Sequence, residues 1–285
     1  MATSKRERQK AARRDKLERM QREAKRRQNM RRIIIVAVVA VVVLISGALL
    51  FTGGGTPTTS TTTSTTSTTS PTTTTTAKSG VAAGGITQAK ANAIAVAAGC
   101  PASTSTRVNT LSWPKAPAMT INKAKTYYAH FVTTAGPFVV KLDAQSAPIT
   151  TNNFVFLAQH KYYTCVIFHR VIPGFAVQGG DPTGTGSGGP GYSIPDELPK
   201  AGSPTYPLYS LAMANAGANT GGSQFFIVTG PSGEALPNSY SLFGQVVSGQ
   251  KAVKIINDSG NANPSANGVP PFVTHRILSV TISEA

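Results

Sequence analysis

The sequence is poor in the residues that build metal centres and disulfide scaffolds. It has two cysteines and four histidines among 285 residues. Two cysteines are too few for a disulfide framework or a structural zinc site, and no group of His, Cys and carboxylates has metal-ligand spacing. His130, His160 and His275 stand isolated, so none is read as a ligand. Charge is also scarce: 13% of residues are Asp, Glu, Lys or Arg, against 27 glycines. That balance argues for a loop-rich globular domain over a helical one. No internal repeat is present. Gly179, Gly180, Gly184, Gly186, Gly188 and Gly189 lack the Lys-Ser/Thr ending of a phosphate-binding loop and are read as turn glycines. Ser223 lies in GGSQ and not in a nucleophile elbow, which argues against a hydrolase.

The charge that exists is uneven. Residues 1–32 hold 14 Lys and Arg against 4 Asp and Glu, a net of +10 out of +16 for the chain. The basic balance therefore describes a tail, and no nucleic-acid partner is expected. The tail has too few apolar residues to bury a core and reads as solvated. Residues 33–51 (IIIVAVVAVVVLISGALLF) follow, nineteen residues without a charge. A helix of that length covers roughly 28 Å at about 1.5 Å per residue, enough for a bilayer core. Arg26, Arg27, Arg31 and Arg32 precede it and no basic residue follows before Lys78. The positive-inside rule then predicts a single-pass plasma-membrane protein with a cytoplasmic N-terminus and everything after the span outside. A cleaved signal peptide is the alternative. Its basic region would be unusually long, its apolar run too long, and no Ala-x-Ala pattern follows closely.

Residues 52–79 are almost entirely Thr and Ser with Pro57 and Pro71. With nothing apolar to bury, this stretch is expected to be a disordered, extended stalk. Residues 80–124 are read as an extension packing on the domain that follows, with a short helix over about 86–98 stopped by Gly99 and Pro101. From residue 125 to 285 the pattern turns to short β-type runs at 127–133, 137–142, 166–171, 224–228, 242–247 and 277–282, separated by Gly, Pro, Asn and Asp. Helices are predicted over about 148–160 and 250–257. Many short strands with two helices suggest a mainly β, closed antiparallel barrel with helical caps.

Three motifs sharpen this reading: 168–181 (FHRVIPGFAVQGGD), 213–227 (MANAGANTGGSQFFI) and 236–247 (LPNSYSLFGQVV). In this order and at these separations they resemble a cyclophilin-type peptidyl-prolyl cis/trans isomerase over roughly residues 125–283. The resemblance implies an eight-stranded antiparallel barrel capped by two helices, activity on proline-containing polypeptides, and no cofactor. A monomer is expected.

The chemistry of that reaction explains the residue types. The peptide C–N bond has partial double-bond character and a rotation barrier of about 18–20 kcal/mol. Lowering it needs no nucleophile. It needs a fixed cation that hydrogen-bonds the prolyl nitrogen as that atom becomes pyramidal in the twisted state. The resemblance assigns this catalytic role to Arg170, whose guanidinium stays charged and offers several donors in a plane. It also implies that Phe175, Phe226 and Leu236 line a prolyl pocket. Gln178 and Gln224 would orient Arg170 or the substrate backbone. Asn215 would hold the peptide through its main chain, flanked by the small Ala214 and Ala216. Phe168, Phe225 and Phe243 are read as barrel core. His169, one residue from Arg170 on a strand, should face the other way and is read as structural.

The chain departs from the family's pattern at three places. Ala176 stands where the family often has Met, Ala235 where well-studied eukaryotic members have Trp, and Tyr240 where they have a pocket-lining His. The first two changes remove apolar surface. The loss of the Trp also removes an indole donor, so cyclosporin sensitivity is not implied. Tyr240 can still stack on a proline ring.

Cys100 and Cys165 would both lie outside the cytoplasm, where disulfides persist. They are expected to pair and pin the extension to the barrel beside the strand of Arg170. Two buried thiols are the alternative. The functional expectation is an isomerase that assists folding of extracytoplasmic proteins at X-Pro bonds. The alternative is a proline-peptide binding or chaperone module at the cell envelope with little turnover. A third reading makes the basic tail the functional end, docking to anionic lipid or a cytoplasmic partner. The layout of basic tail, single span and Thr-rich stalk fits a Gram-positive surface protein.

Overall fold

The computed structural model of the protein describes residues 85–200 and 205–285. The expected tail, span and stalk lie outside these residues. Among the described residues no helix is long and apolar enough to cross a membrane.

Eight strands form one antiparallel sheet: β1 (Tyr127–Thr133), β2 (Gly136–Leu142), β3 (Arg170–Ile172), β4 (Ala176–Gly179), β5 (Ser210–Met213), β6 (Phe225–Val228), β7 (Leu242–Ser248) and β8 (Ile277–Glu284). Their order across the sheet is β3-β4-β6-β5-β7-β2-β1-β8. In β1 the residues Tyr127, Ala129, Phe131 and Thr133 alternate inward, and β2 answers with Phe138, Val140 and Leu142. Their rings meet directly, with Phe131 stacked on Phe138 at 4.5 Å between centroids. Phe154, Phe168, Phe225 and Phe243 complete the interior and are fully buried.

Among the described residues four helices accompany the sheet: α1 (Gln88–Ala97), α2 (Pro148–Gln159), the single-turn α3 (Pro231–Glu234) and α4 (Gln250–Asp258). Helix α2 opens with Pro at its first position, where the missing N–H costs nothing. The Glu197 carboxylate accepts from the main-chain N–H of Ile149 and Thr150 at 2.9 and 2.8 Å, so it caps the helix from a distant loop. Helix α4 turns Ala252, Val253 and Ile256 inward.

Two features differ from the sequence-based expectation. The run at 166–171 enters the sheet only at Arg170. Cys165 before it has a left-handed backbone (φ 66°), and residues 166–168 pair with the start of β8 instead. Phe168 N–H donates to His275 O, Ile277 N–H to Val166 O, and Ile167 bridges Arg276. That bridge is the junction between the sheet's end strands. The closed barrel is thus, more coarsely, an eight-stranded antiparallel sheet joined at one short bridge. Strands β4 and β5 were absent from the patterning because each has four residues and little exposed surface on either side. A strand covered on both faces shows no alternation.

The extension is tied down at several points. Helix α1 buries Ala91 and Ala95. Cys100 and Cys165 are joined in a disulfide. Buried Arg276 donates to Ser103 O at 2.6 Å and to Cys165 O at 3.2 Å, satisfying main-chain carbonyls on both sides of that link.

Candidate active site

The antiparallel register lines up one row of residues across four strands. Arg170 on β3 is opposite Gln178 on β4, Gln178 is opposite Phe226 on β6, and Phe226 is opposite Ala212 on β5. Because side chains alternate, this row shares one face. Its neighbours Val171, Val177, Ile227 and Leu211 point into the main core. On the outer face a second apolar cluster forms from Ala176, Tyr206, Ala212, Phe226 and Val228. Phe175, Leu236 and Tyr240 pack against it.

Within this cluster is a pocket of about 160 Å³ lined by Arg170, Phe175, Ala176, Gln178, Ala214, Asn215, Phe226, Leu236 and Tyr240. That is below the roughly 300–1,000 Å³ of drug-sized ligand sites, and suits a single side chain or ring. Ala216 and Gln224 are not in it. They line an adjoining cleft of about 840 Å³, which shares Gln178, Ala214 and Asn215 with the pocket. Eight of the ten sequence-predicted residues therefore meet in one pocket, and the other two lie on the cleft beside it.

Arg170 is held in place by two neighbours. Its Nε donates to Asn267 O at 3.1 Å, Nη2 to Asn267 Oδ1 at 2.8 Å, and Nη1 to Gln178 Oε1 at 3.3 Å. A guanidinium has five N–H donors, so donors remain for a ligand. Gln178 Nε2 donates to Gln224 Oε1 at 3.1 Å. Gln224 Nε2 in turn donates to Gly186 O and Gly188 O, each at 2.9 Å. The guanidinium carbon lies 5.5 Å from the Phe175 ring centroid, a distance at which ring and cation attract. Burial lowers the Arg170 pKa, and nearby Tyr240 opposes that shift. The group starts so high on the pH scale that it remains charged.

The apolar wall is also built from below. Tyr240 meets Phe226 edge to face, with centroids 5.2 Å apart. Fully buried Tyr206 supports that loop: its hydroxyl donates to Tyr240 O and accepts from Ser239 N–H and Tyr240 N–H. Asn215 donates to Ser239 O at 2.8 Å, which ties the two loops on either side of the pocket. Gly180 (φ 92°) allows the chain leaving β4 to pass over β6. A Cβ there would sit 2.3 Å from Ser223 O. Asp181 follows and gathers the next loop, accepting from Thr183 N–H, Gly186 N–H and Gly188 N–H. Burial pushes its carboxyl up, but these bonds outweigh that and hold the pKa low.

His169 faces away from the pocket, 4% exposed. Neither ring nitrogen has a partner among the described residues, and burial lowers its pKa, which favours the uncharged ring. Ala235 is exposed at the end of α3 and does not line the pocket. Sequence reasoning missed Asn267, Tyr206 and Asp181. Asp181 closes the 168–181 motif, so the sequence does carry a signal for it. Asn267 is 97 residues from Arg170, in a loop without a pattern of its own.

A charged donor is thus fixed beside an apolar, ring-sized pocket on the outer face of an eight-stranded antiparallel sheet. The family model of cyclophilin type peptidyl-prolyl cis-trans isomerases matches residues 128–282, and the chain belongs to that family. It is similar to peptidyl-prolyl cis-trans isomerase-like 1 of Aspergillus oryzae, 43% identical over 140 residues, covering 47% of this chain and 86% of that protein. It is also similar to peptidyl-prolyl cis-trans isomerase CYP18-2 of Arabidopsis thaliana, 44% identical over 125 residues, covering 43% of this chain and 75% of the relative. Among solved structures, a Cryptosporidium parvum cyclophilin type peptidyl-prolyl cis-trans isomerase superposes with a TM-score of 0.50 at 30% identity. It covers 55% of this chain and 98% of its own.

Proposed function

We propose that this isomerase uses Arg170 to accelerate rotation about X-Pro bonds of exported polypeptides outside the cytoplasm. One observation carries the reading of the site: a guanidinium locked by Asn267 and Gln178 at the edge of a small apolar pocket. The prolyl ring fills the pocket between Phe226, Leu236 and Phe175. Arg170 then donates to the prolyl nitrogen as it loses conjugation, a bond stronger in the twisted state than in either planar isomer. Ala214, Asn215 and Ala216 offer a low wall along which an extended peptide lies close to the main chain, with Gln178 and Gln224 on the other side. Ala176 removes apolar surface from the pocket wall and leaves it wider, and Tyr240 supplies an aromatic face where eukaryotic members have His.

The placement outside the cytoplasm rests on the first 79 residues: the basic tail, the uncharged run at 33–51 and the Thr/Ser stretch. This layout suits a Gram-positive envelope. The proteins named above come from a fungus, a plant and Cryptosporidium parvum, and the placement rests on the layout of these residues.

A proline-peptide binding module would use the same pocket without turnover. A protease-coupled isomerisation assay on the full chain and its Arg170→Ala variant, paired with titration of the same peptide, separates the two. Turnover lost in the variant with affinity largely kept supports the enzyme. Affinity without turnover in the wild type gives the site to the binding module.

A further inference from the structure

The family match begins at residue 128, yet part of the extension before it reaches the wall of the substrate cleft. Its upstream end is fixed firmly. The Cys100–Cys165 disulfide and the Arg276–Ser103 bond hold the start of the segment. Gln88 on α1 donates to Thr274 O at 3.4 Å and accepts from Thr274 N–H at 2.7 Å. From there the chain crosses to the glycine-rich loop after β4 and grips it at both ends. Val108 N–H donates to Pro182 O at 2.9 Å, and Trp113 N–H donates to Pro190 O at 2.8 Å. The approach is close: a Cβ on Gly191 would stand 2.2 Å from Ser112 Oγ and 2.8 Å from Trp113 O. The Trp113 ring is wedged against Phe156, His160 and Tyr162, with centroids 5.0, 5.6 and 6.0 Å away.

The loop held in this way has five glycines between positions 184 and 191. It has few side chains with which to pack, so it needs outside holds to keep one conformation. Its inner side matters for the site. Gly186 O and Gly188 O fix Gln224, Gln224 fixes Gln178, and Gln178 bonds Arg170. The same loop lines the 840 Å³ cleft that continues from the prolyl pocket. Pro190 also lies over Gly222, where a Cβ would come within 3.1 Å of its ring.

We propose that residues 100–113 are a strap that positions the 182–191 loop, so that the extension sets how the isomerase grips peptide residues flanking the X-Pro bond. This rests on the isomerase reading of the pocket. Trp113 is a positioning residue: it acts through Pro190 and the loop, and touches no substrate. A substrate too short to enter the cleft draws little on the strap, while a longer peptide depends on it.

The full chain, Trp113→Ala and Trp113→Phe are compared on a minimal blocked Ala-Pro substrate and on a peptide with bulky residues on both sides of the same bond. The expected result is that the long-to-short ratio of kcat/KM falls about tenfold in Trp113→Ala and returns to within about twofold in Trp113→Phe. Parallel loss on both substrates, or no loss on either, overturns the strap, because a purely structural role moves both together. Titration with the long peptide gives a second readout that needs no turnover. Affinity about tenfold weaker in Trp113→Ala supports the strap, and equal affinity contradicts it. A wild-type chain that binds the peptide without turning it over defeats the isomerase reading and leaves this second comparison to decide on the strap.

Discussion

Arg170 sits inside a hydrogen-bonded row, Gln224–Gln178–Arg170–Asn267, held from both sides. The row keeps its donors aimed, so each residue has a distinct expected effect. Leu236 lines the pocket and is half-buried. Leu236→Ala should lower kcat/KM roughly tenfold, the effect of removing apolar contact from a small pocket, with little change in melting temperature. Equal activity would remove Leu236 from the pocket wall. His275 tests the electrostatics of the core. It is 1% exposed, between Thr134 Oγ1 at 3.0 Å and Ser259 Oγ at 2.9 Å, and burial pushes its pKa down to about 4. The unfolded chain takes up that proton near pH 6.5 and the folded chain only near 4, so stability present above pH 6.5 is lost as pH falls through that window. The loss approaches about 3 kcal/mol at the acid end, and His169 adds in the same direction. Melting temperature measured from pH 7 to 4 should fall steadily, and more shallowly in His275→Gln. Identical pH profiles for the two would contradict this assignment. At this scale the pocket residues were legible because three contiguous motifs carry them. Asn267 and Tyr206 were not, because their part in the site comes from distant loops brought together by the sheet.

Strands with one exposed face were readable from alternation, as in β1 and β2, while β4 and β5 were hidden by burial on both faces. Yet β4 and β5 are the elements that place Gln178 and Ala212 in one row with Arg170 and Phe226. The motifs therefore point to the pocket residues, although the strands that carry them leave no alternation in the sequence. The extension is the other element with consequences. Its disulfide joins residues 65 apart in sequence, and in the chain-entropy description a loop of that size is worth about 4 kcal/mol. Cys100→Ser with Cys165→Ser should lower the denaturant midpoint accordingly and raise the denaturant slope, because the unlinked unfolded chain exposes more surface. A midpoint equal to that of the oxidised wild type would show that the link adds no stability.

In the whole molecule the proposed anchor precedes the isomerase domain in sequence. Residues 33–51 carry no charge and follow four arginines at 26, 27, 31 and 32, which the positive-inside rule reads as a cytoplasmic start. The full chain should sediment with membranes and resist high-salt extraction. Protease added to intact spheroplasts should remove the isomerase domain, and deletion of 33–51 should release the chain. An intact domain after such treatment would contradict the topology. The eight-stranded architecture was legible as a class because motifs and strand spacing agreed. How the sheet ends meet was not, since the Ile167–Arg276 bridge depends on the left-handed turn at Cys165.

The central claim is that a fixed Arg170 guanidinium speeds interconversion of the two prolyl isomers. Exchange spectroscopy on a proline-containing peptide at equilibrium measures that rate without a coupling protease. Uncatalysed exchange takes tens of seconds or more. The account predicts exchange accelerated to well below a second by catalytic amounts of the full chain, and a loss of roughly 10²–10³-fold in Arg170→Ala, the scale of removing one transition-state donor. Acceleration that survives in Arg170→Ala, with the fold intact, would contradict it.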